Sequence, residues 1–520
     1  MIADELSRRI HDAFGFIPTS EQEDAITVCV RFLSSYEERG VMVLRGCAGT
    51  GKTLLASALV RTLSALDQPV VLLAPTGRAA KVFALNSGQK AFTIHRFIYR
   101  QQIVSAEMSG FSLGFNGARR CLFIVDEASM LSDSYGGDNF GSGHLLDDLI
   151  RFVYSGSGCR LMFIGDDAQL PPIGETFSPA LDASVLEGYG LSVYEATLNE
   201  VLRQSKLSGI LWNASQIRAL FGRDLQSLFP QVRFNGFADI HNVRGDELTD
   251  FLADSIRRVG MDETIVITRS NFRANIINNG IRRMVFDRED ELEGGDIVMI
   301  VRNNYFWFKN RERENKSGGD IVRGVKGGTG KFNLAALEEG KEAIRKENEK
   351  IVRTDSDDGV ELDAPDFIAN GDRAIIRRLH RHRELYGFRF ADAVLCFPDY
   401  NNIEVDATVL LDVLHTKSPS LDEEDWRRLY ESIEEDYQHV NTKRERIQAI
   451  REDVYFNALQ LKYAYAVTCH KAQGGEWSHV YVDGCLREGE RMNEEYIHWL
   501  YTAFTRASEH LFLINWPEKE

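Results

Sequence analysis

Eight consecutive residues, Gly46-Cys47-Ala48-Gly49-Thr50-Gly51-Lys52-Thr53, carry the plainest chemistry in the chain. Gly46, Gly49 and Gly51 let the backbone curl so that successive N–H groups point inward at phosphate oxygens. Lys52 then reaches the β/γ-phosphates and the Thr53 hydroxyl holds Mg²⁺, so the loop predicts ATP and Mg²⁺ as cofactors. A second pattern, Phe123-Ile124-Val125-Asp126-Glu127, ends an apolar run on adjacent carboxylates. Asp126 is placed to bind Mg²⁺, and Glu127 to orient and deprotonate an attacking water, because phosphoryl transfer needs little beyond positioning and charge stabilisation. In Leu161–Gly174 a further apolar run ends in polar residues, and the Gln169 amide stands where it can sense a γ-phosphate. A glycine-lysine cluster at 325–333, VKGGTGKFN, lacks the spacing, the preceding buried strand and the hydroxyl after its lysine, and reads as a flexible loop.

Groups of this kind must be held at the ends of strands. Val41–Leu44 precedes the phosphate loop as a strand and Leu54–Val60 follows it as a helix. Short β-branched runs recur at 70–73, 122–125, 161–164, 265–267, 480–482 and 511–514, each with a polar turn and helical periodicity nearby. That alternation predicts parallel α/β sheets, and the gap between the two groups of strands predicts two such domains. Residues 309–363 are rich in Lys, Glu, Arg and Gly and read as a charged flexible insertion, with a charged helix near 334–350. The segment 367–414 changes to short alternating strands around Asn370-Gly371-Asp372, as in a small β-barrel, and Ser420 with Glu423 forms a capping-box signature opening a helical region to about 459.

At 520 residues the chain needs two to four domains. Its seven cysteines form no CxxC pair, which favours reduced thiols, no zinc site and a cytoplasmic setting. No signal-like or membrane-length apolar run is present, so no membrane partner is expected. The net charge of −17 argues against a wide basic surface, so a nucleic acid would have to sit in a local groove.

Taken with these motifs, Pro75-Thr76-Gly77-Arg78, Thr93-Ile94-His95, the run LNEVLRQ at 198–204, VTCHKAQGGEWSHVYV at 467–482 and YTAFTRAS at 501–508 resemble a superfamily 1B DNA helicase of the RecD/Dda-like group. The resemblance covers nearly all of the chain except 309–363. It implies a first RecA-like domain over 1–205 carrying a hairpin insertion, or pin, at about 98–120, and a second over 206–308 and 460–520. It also implies an SH3-like barrel with a helical segment over 364–459. By the same resemblance Gln22 reads the adenine edge, Arg203 contributes an arginine to the γ-phosphate, and Arg506 is the arginine finger. Pro75, Thr76, Thr93, His95, Thr468 and His470 contact a DNA strand, and travel is 5′ to 3′. The implied partners are single-stranded DNA and its junctions with duplex, together with other replication or repair proteins, and the implied state is a monomer.

The physical logic agrees with this assignment. Lys52 and Arg506 fall on different domains, so a nucleotide between them draws the domains together. Hydroxyls and backbone amides at Thr76, Thr93 and Thr468 hold phosphates without net charge, which suits an acidic chain. The aromatic run Asn303–Phe308 offers a stacking platform, and in the glycine-rich hairpin Phe111 or Phe115 is placed to stack on a terminal base pair. Two other readings use the same loop: an ATPase that remodels a protein partner, and a nucleotide-gated DNA-binding protein that does not translocate.

Overall fold

The computed structural model describes residues 2–103, 109–135, 141–200, 208–223, 230–307, 367–416, 418, 420–486, 490 and 492–517. Its first part is built on β1 (Gly40–Gly46), β2 (Val70–Ala74), β3 (Ala91–Thr93), β6 (Leu122–Val125), β7 (Arg160–Gly165) and β8 (Ser192–Leu198). These six strands are all parallel, in the order β3-β2-β6-β7-β1-β8. Both faces are covered, and the alternation of the strands divides their side chains between two cores. Met42, Leu44, Leu72, Ile124 and Met162 face one core. Val41, Val43, Leu73, Phe123 and Phe163 face the other. Between β3 and β6 lies a two-stranded hairpin, β4 (Tyr99–Ile103) with β5 (Ser109–Leu113), whose register pairs Tyr99 with Leu113 and Gln101 with Phe111.

A second parallel sheet contains β9 (Ile240–Val243), β10 (Thr264–Thr268), β16 (Ala466–Thr468), β17 (Trp477–Asp483) and β18 (Ala507–Ile514), ordered β16-β10-β17-β18-β9. A closed barrel is inserted in it: β11 (Ile297–Ile300), β12 (Arg373–Leu385), β13 (Phe388–Phe397), β14 (Ile403–Leu410) and β15 (Leu459–Tyr463). The architecture is therefore α/β with two parallel sheets and a small barrel. The barrel's limits differ from the expected 364–459. It takes its first strand from Ile297, before the insertion, and its last from Leu459–Tyr463, because β11 pairs with both β12 and β15 and closure leaves no edge unpaired. Barrel and second sheet also share one continuous apolar core, so no clean boundary separates them.

The helix between β14 and β15 starts at Glu423 with Asp422 as its cap, accepting from the Asp425 N–H at 2.9 Å, in place of the expected Ser420. Leu421 is already tied down, its N–H donating to the Gln460 side chain at 3.0 Å, so the chain turns into the helix one residue later. The insertion expected at 309–363, its charged helix and the loop at 325–333 lie outside the described residues. What flanks them meets closely: Asn304 and Ile368 exchange backbone hydrogen bonds of 2.7 and 2.8 Å, and the rings of Tyr305 and Phe367 lie 4.8 Å apart. Of the aromatic run, Tyr305 is packed between Phe111 and Phe367, and the Trp307 indole donates to the Asn457 carbonyl at 2.8 Å. Those two rings are spent on packing, so they form no open platform.

Because the flanks of 309–363 already touch, replacing that segment with a short Gly-Ser linker should leave the melting temperature within about 3 °C of the parent. Thermal unfolding checks this. A fall of more than about 8 °C would mean that the segment supports the fold.

Candidate nucleotide site between the two sheets

The phosphate loop leaves β1 and enters the helix Lys52–Ser64. Gly49 and Gly51 adopt φ of +77° and +87°, the left-handed region that a side chain disfavours. A Cβ on Gly46 would lie 2.8 Å from the Leu198 carbonyl, so the strand-to-loop turn leaves no room for one. The Lys52 ammonium folds back on the loop, donating to the carbonyls of Gly46 (2.5 Å) and Cys47 (3.0 Å). A phosphate would compete for that ammonium with stronger, charged acceptors. Gln22, whose expected task is the adenine edge, is buried and uses both ends of its amide within the protein. Its oxygen accepts from Thr19 N–H (2.9 Å) in a capping box, and its nitrogen donates to the Thr50 carbonyl (2.9 Å), which ties the helix Ser20–Ser34 to the loop.

Asp126 and Glu127 sit at the end of β6. The Asp126 N–H donates to the Leu73 carbonyl (3.0 Å), and its carboxylate accepts the Glu127 N–H at 2.9 Å. Burial first, and the charge of Glu127 second, hold the Asp126 carboxyl above its usual range. Two adjacent acids under that strain suit a bound cation, and Thr53 and Asp126 are the side chains that would hold it. Glu127 is at φ +52°, a conformation that costs of order 1–3 kcal/mol for a non-glycine residue and is found at sites that aim a side chain.

Beyond β7, the segment Asp166–Leu170 is gripped from the other sheet's side. Asp166, fully buried, accepts from Arg218 (2.5 Å) and from the Tyr501 hydroxyl (2.6 Å). The same Tyr501 oxygen accepts the Ala48 N–H of the phosphate loop at 3.2 Å. His498 bonds the Ala168 carbonyl (2.9 Å), Thr502 accepts the Leu170 N–H (2.7 Å), and Gln473 donates to the Leu170 carbonyl (2.7 Å). Inside this clasp Gln169 is 6% exposed, and its buried amide oxygen has no hydrogen-bond partner. Arg506 comes from the turn between the helix Glu494–Phe504 and β18. Buried, it donates to the carbonyls of Thr502 (3.2 Å) and Gly475 (3.1 Å), and its guanidinium stands 3.8 Å from the Glu127 carboxylate. Residues of both sheets' units thus converge on one place. Sequence reasoning missed Asp166, Arg218 and Tyr501, although Tyr501 opens the YTAFTRAS run and Asp166 stands in the run with Gln169.

The residues expected to contact a strand fall at two matching places. Thr93 ends β3, the edge strand of the first sheet, and Thr468 ends β16, the edge strand of the second; each starts a short helix without its hydroxyl capping that helix. A cleft lies beside each, one lined by Thr93, Gly77, Arg96 and Tyr400, the other by Thr468, Lys471, Lys462 and Asn278. Thr76, after Pro75, caps the helix Gly77–Ser87, accepting from Ala79 N–H at 3.2 Å, and a Cβ on Gly474 would lie 3.0 Å from its hydroxyl. Burial pushes the His95 imidazole down to about 4 and lowers that of His470, so both are held towards the neutral form; the His95 ring lies against Tyr99. One stack joins all three parts of the fold: Arg78 lies 4.4 Å over the Trp477 ring and Arg373 of the barrel 5.8 Å from it.

The expected wedge aromatics are not at the hairpin's tip. Phe111 is within β5 at 4.5 Å from Tyr305, and Phe115 follows the strand, 64% exposed, beside the buried Asn116 that donates to the Phe152 and Val153 carbonyls. Residues 104–108 and Arg203 lie outside the described residues.

Residues 19–220 match the family described as AAA domain, and residues 463–514 the UvrD-like helicase C-terminal domain. An uncharacterized protein of Acanthamoeba polyphaga mimivirus is 23% identical over 91% of this chain and 95% of its own length. The ATP-dependent DNA helicase dda of Enterobacteria phage T4 is 23% identical over 56% of this chain. The ATP-dependent RecD2 DNA helicase of Deinococcus radiodurans is 34% identical over 26%. The matches span 62% and 16% of those two helicases' lengths. Among solved structures, Pif1 helicase from Candida albicans aligns over 96% of this chain and 95% of its own, at 16% identity and a TM-score of 0.40.

If Glu127 and Arg506 serve one hydrolytic site, Glu127→Gln should keep nucleotide affinity within a fewfold while slowing turnover by about 10²-fold or more, and Arg506→Ala should do the same. Nucleotide titration and steady-state hydrolysis on the same samples check it. Near-normal hydrolysis by Arg506→Ala would remove the arginine from the site.

Proposed function

We propose that this chain is a superfamily 1B helicase of the RecD/Dda-like group, an ATP-dependent DNA helicase that moves 5′ to 3′ on single-stranded DNA and works as a monomer. The observation that carries the reading is the approach of Arg506, from the second sheet's unit, to Glu127 of the first at 3.8 Å. A hydrolytic site completed across two bodies of one chain converts each nucleotide cycle into relative motion of those bodies.

In this reading the loop amides of 46–53 and Lys52 bind the phosphates, and Thr53 and Asp126 would hold Mg²⁺, which would supply positive charge beside them. Glu127 orients the water and takes its proton. Gln169, held by the clasp, reports the γ-phosphate to the second body through its amide N–H₂, which can donate to a phosphate oxygen. Arg506 and Arg203 stabilise the negative charge that develops on the transferred group. Gln22 positions the loop and, through it, the nucleotide. Thr93 and Thr468, at equivalent edges of the two sheets and each beside a cleft, give a DNA strand one grip on each body, with Thr76 and Pro75 next to the first. Two grips whose separation changes with nucleotide state move a strand stepwise.

A machine that remodels proteins would take its arginine from a neighbouring subunit, whereas here Arg506 approaches Glu127 of the same chain. A passive clamp has no use for a complete hydrolytic pair. Other replication or repair proteins remain natural partners for such a motor. Among the described residues no helix is long and apolar enough to cross a membrane.

Single-stranded DNA should stimulate ATP hydrolysis by about tenfold or more, and a 5′-tailed duplex should be unwound in preference to a 3′-tailed one. Hydrolysis indifferent to DNA sinks the reading. Joining Gln102 to Gly110 by a two-residue turn, which preserves Phe111, Phe115 and Asn116, should abolish strand separation and spare DNA-stimulated hydrolysis. Unwinding that persists in that variant would show that the hairpin is not the wedge.

A further inference from the structure

The barrel carries a feature that the motor does not use. Strand β12 reads Arg-Arg-Leu-His-Arg-His-Arg at 377–383 within a chain of net charge −17. Regular alternation would turn half of these side chains toward the barrel interior. Two register shifts prevent this, one between Ile376 and Arg378 and one between His380 and Arg383, the second with Arg381 at φ +54°. Each bulge rephases the strand, so Arg377, Arg378, His380, Arg381 and His382 are all exposed.

The pairing of charges nearby is selective. Arg383 meets Asp392 at 2.9 Å, Arg389 meets both Asp412 (2.9 Å) and Glu291 (2.8 Å), and Arg377 is 3.8 Å from Glu404. Arg378 and Arg381 have no ion pair among the described residues. A strand that spends two bulges and a left-handed arginine to expose unneutralised cations is shaped for an anionic partner.

We propose that the outer face of β12, from Arg377 to His382, docks the phosphate backbone of duplex DNA. The exposed row from Arg377 to His382 lies along one hydrogen-bonded strand, shortened by its bulges to somewhat under the ~20 Å of six regular residues, a row of donors suited to the rigid, regularly spaced phosphates of a duplex. A single strand is held by aromatic rings on which its bases stack, and this row contains no aromatic other than its histidines. The contact is sequence-independent, because phosphate contacts position a duplex without reading it. The inference takes its ligand class from the proposed motor function and adds a second, separate contact, since that function needs only the single strand across the two sheets.

The test uses the full chain and its Arg378→Ala/Arg381→Ala variant, both positions exposed. Anisotropy of a labelled blunt duplex of about 20 base pairs is read across a salt series, with an oligothymidylate in parallel. The variant should bind the duplex about tenfold more weakly at low salt, with the slope of log affinity against log salt reduced by about 2. Its oligothymidylate affinity and single-strand-stimulated hydrolysis should be unchanged, and Arg378→Lys/Arg381→Lys should bind the duplex nearly as the parent does. Unchanged duplex affinity and slope overturn the proposal, and so does an equal loss on the single strand, which would put β12 in the motor's own path. The two readings fail separately: a parent chain whose hydrolysis ignores single-stranded DNA contradicts the motor function, whereas this proposal is decided by the duplex comparison alone.

Discussion

The segment Asp166–Leu170 belongs to the first sheet by sequence and to the second by its bonds, and the geometry of the site depends on that double membership. It leaves β7 of the first sheet, yet His498, Tyr501, Thr502, Gln473 and Arg218 from the other body fix its backbone and its buried carboxylate. Asp166 is fully buried, and a buried carboxylate is tolerable only when charge-assisted bonds satisfy it. Removing one partner would leave it uncompensated, so the contact is held in a single arrangement. Tyr501 extends the same network to the phosphate loop through Ala48. A change at the phosphates therefore cannot stay within one body.

Two features sharpen that coupling. Glu127 is held in a left-handed conformation at the end of a buried strand, which aims its carboxylate toward Arg506. Trp477 lies beside both Arg78, from the helix that starts at Gly77, and Arg373 of the barrel, and burial together with the charge of Arg78 pushes the Arg373 guanidinium down to about 10. Sheet, helix and barrel thus meet at one indole, on the side where Gly474 approaches Thr76. In the proposed motor, these packed contacts are the route by which movement at the nucleotide would reach the edges at Thr93 and Thr468.

The phosphate loop and acid pair were legible because a local backbone requirement dictates their residue types: glycines where φ is positive, a lysine and a hydroxyl at fixed spacing, acids at a strand end. The two sheets were legible from apolar runs that repeat with helices between them. The barrel's limits were not, since Ile297–Ile300 and Leu459–Tyr463 read like any buried strand and only their mutual pairing assigns them. Phe111 looked like a wedge because nothing near it in sequence shows Tyr305 waiting to cover it. The clasp was hidden for the same reason: Asp166, Arg218 and Tyr501 are unremarkable alone, and their roles exist only across distant parts of the chain. The basic run in β12 was visible as composition, but its exposure was not, because the bulges that create it leave no signature in a strand pattern.

In the proposed motor, residues of two bodies form one hydrolytic unit. ATP turnover by the Glu127→Gln/Arg506→Ala double variant, set against each single variant, tests it most directly. Groups that act as a unit are strongly non-additive, so the double variant should be no more than a fewfold slower than the worse single one. Losses that multiply would show two groups acting independently and would contradict the account.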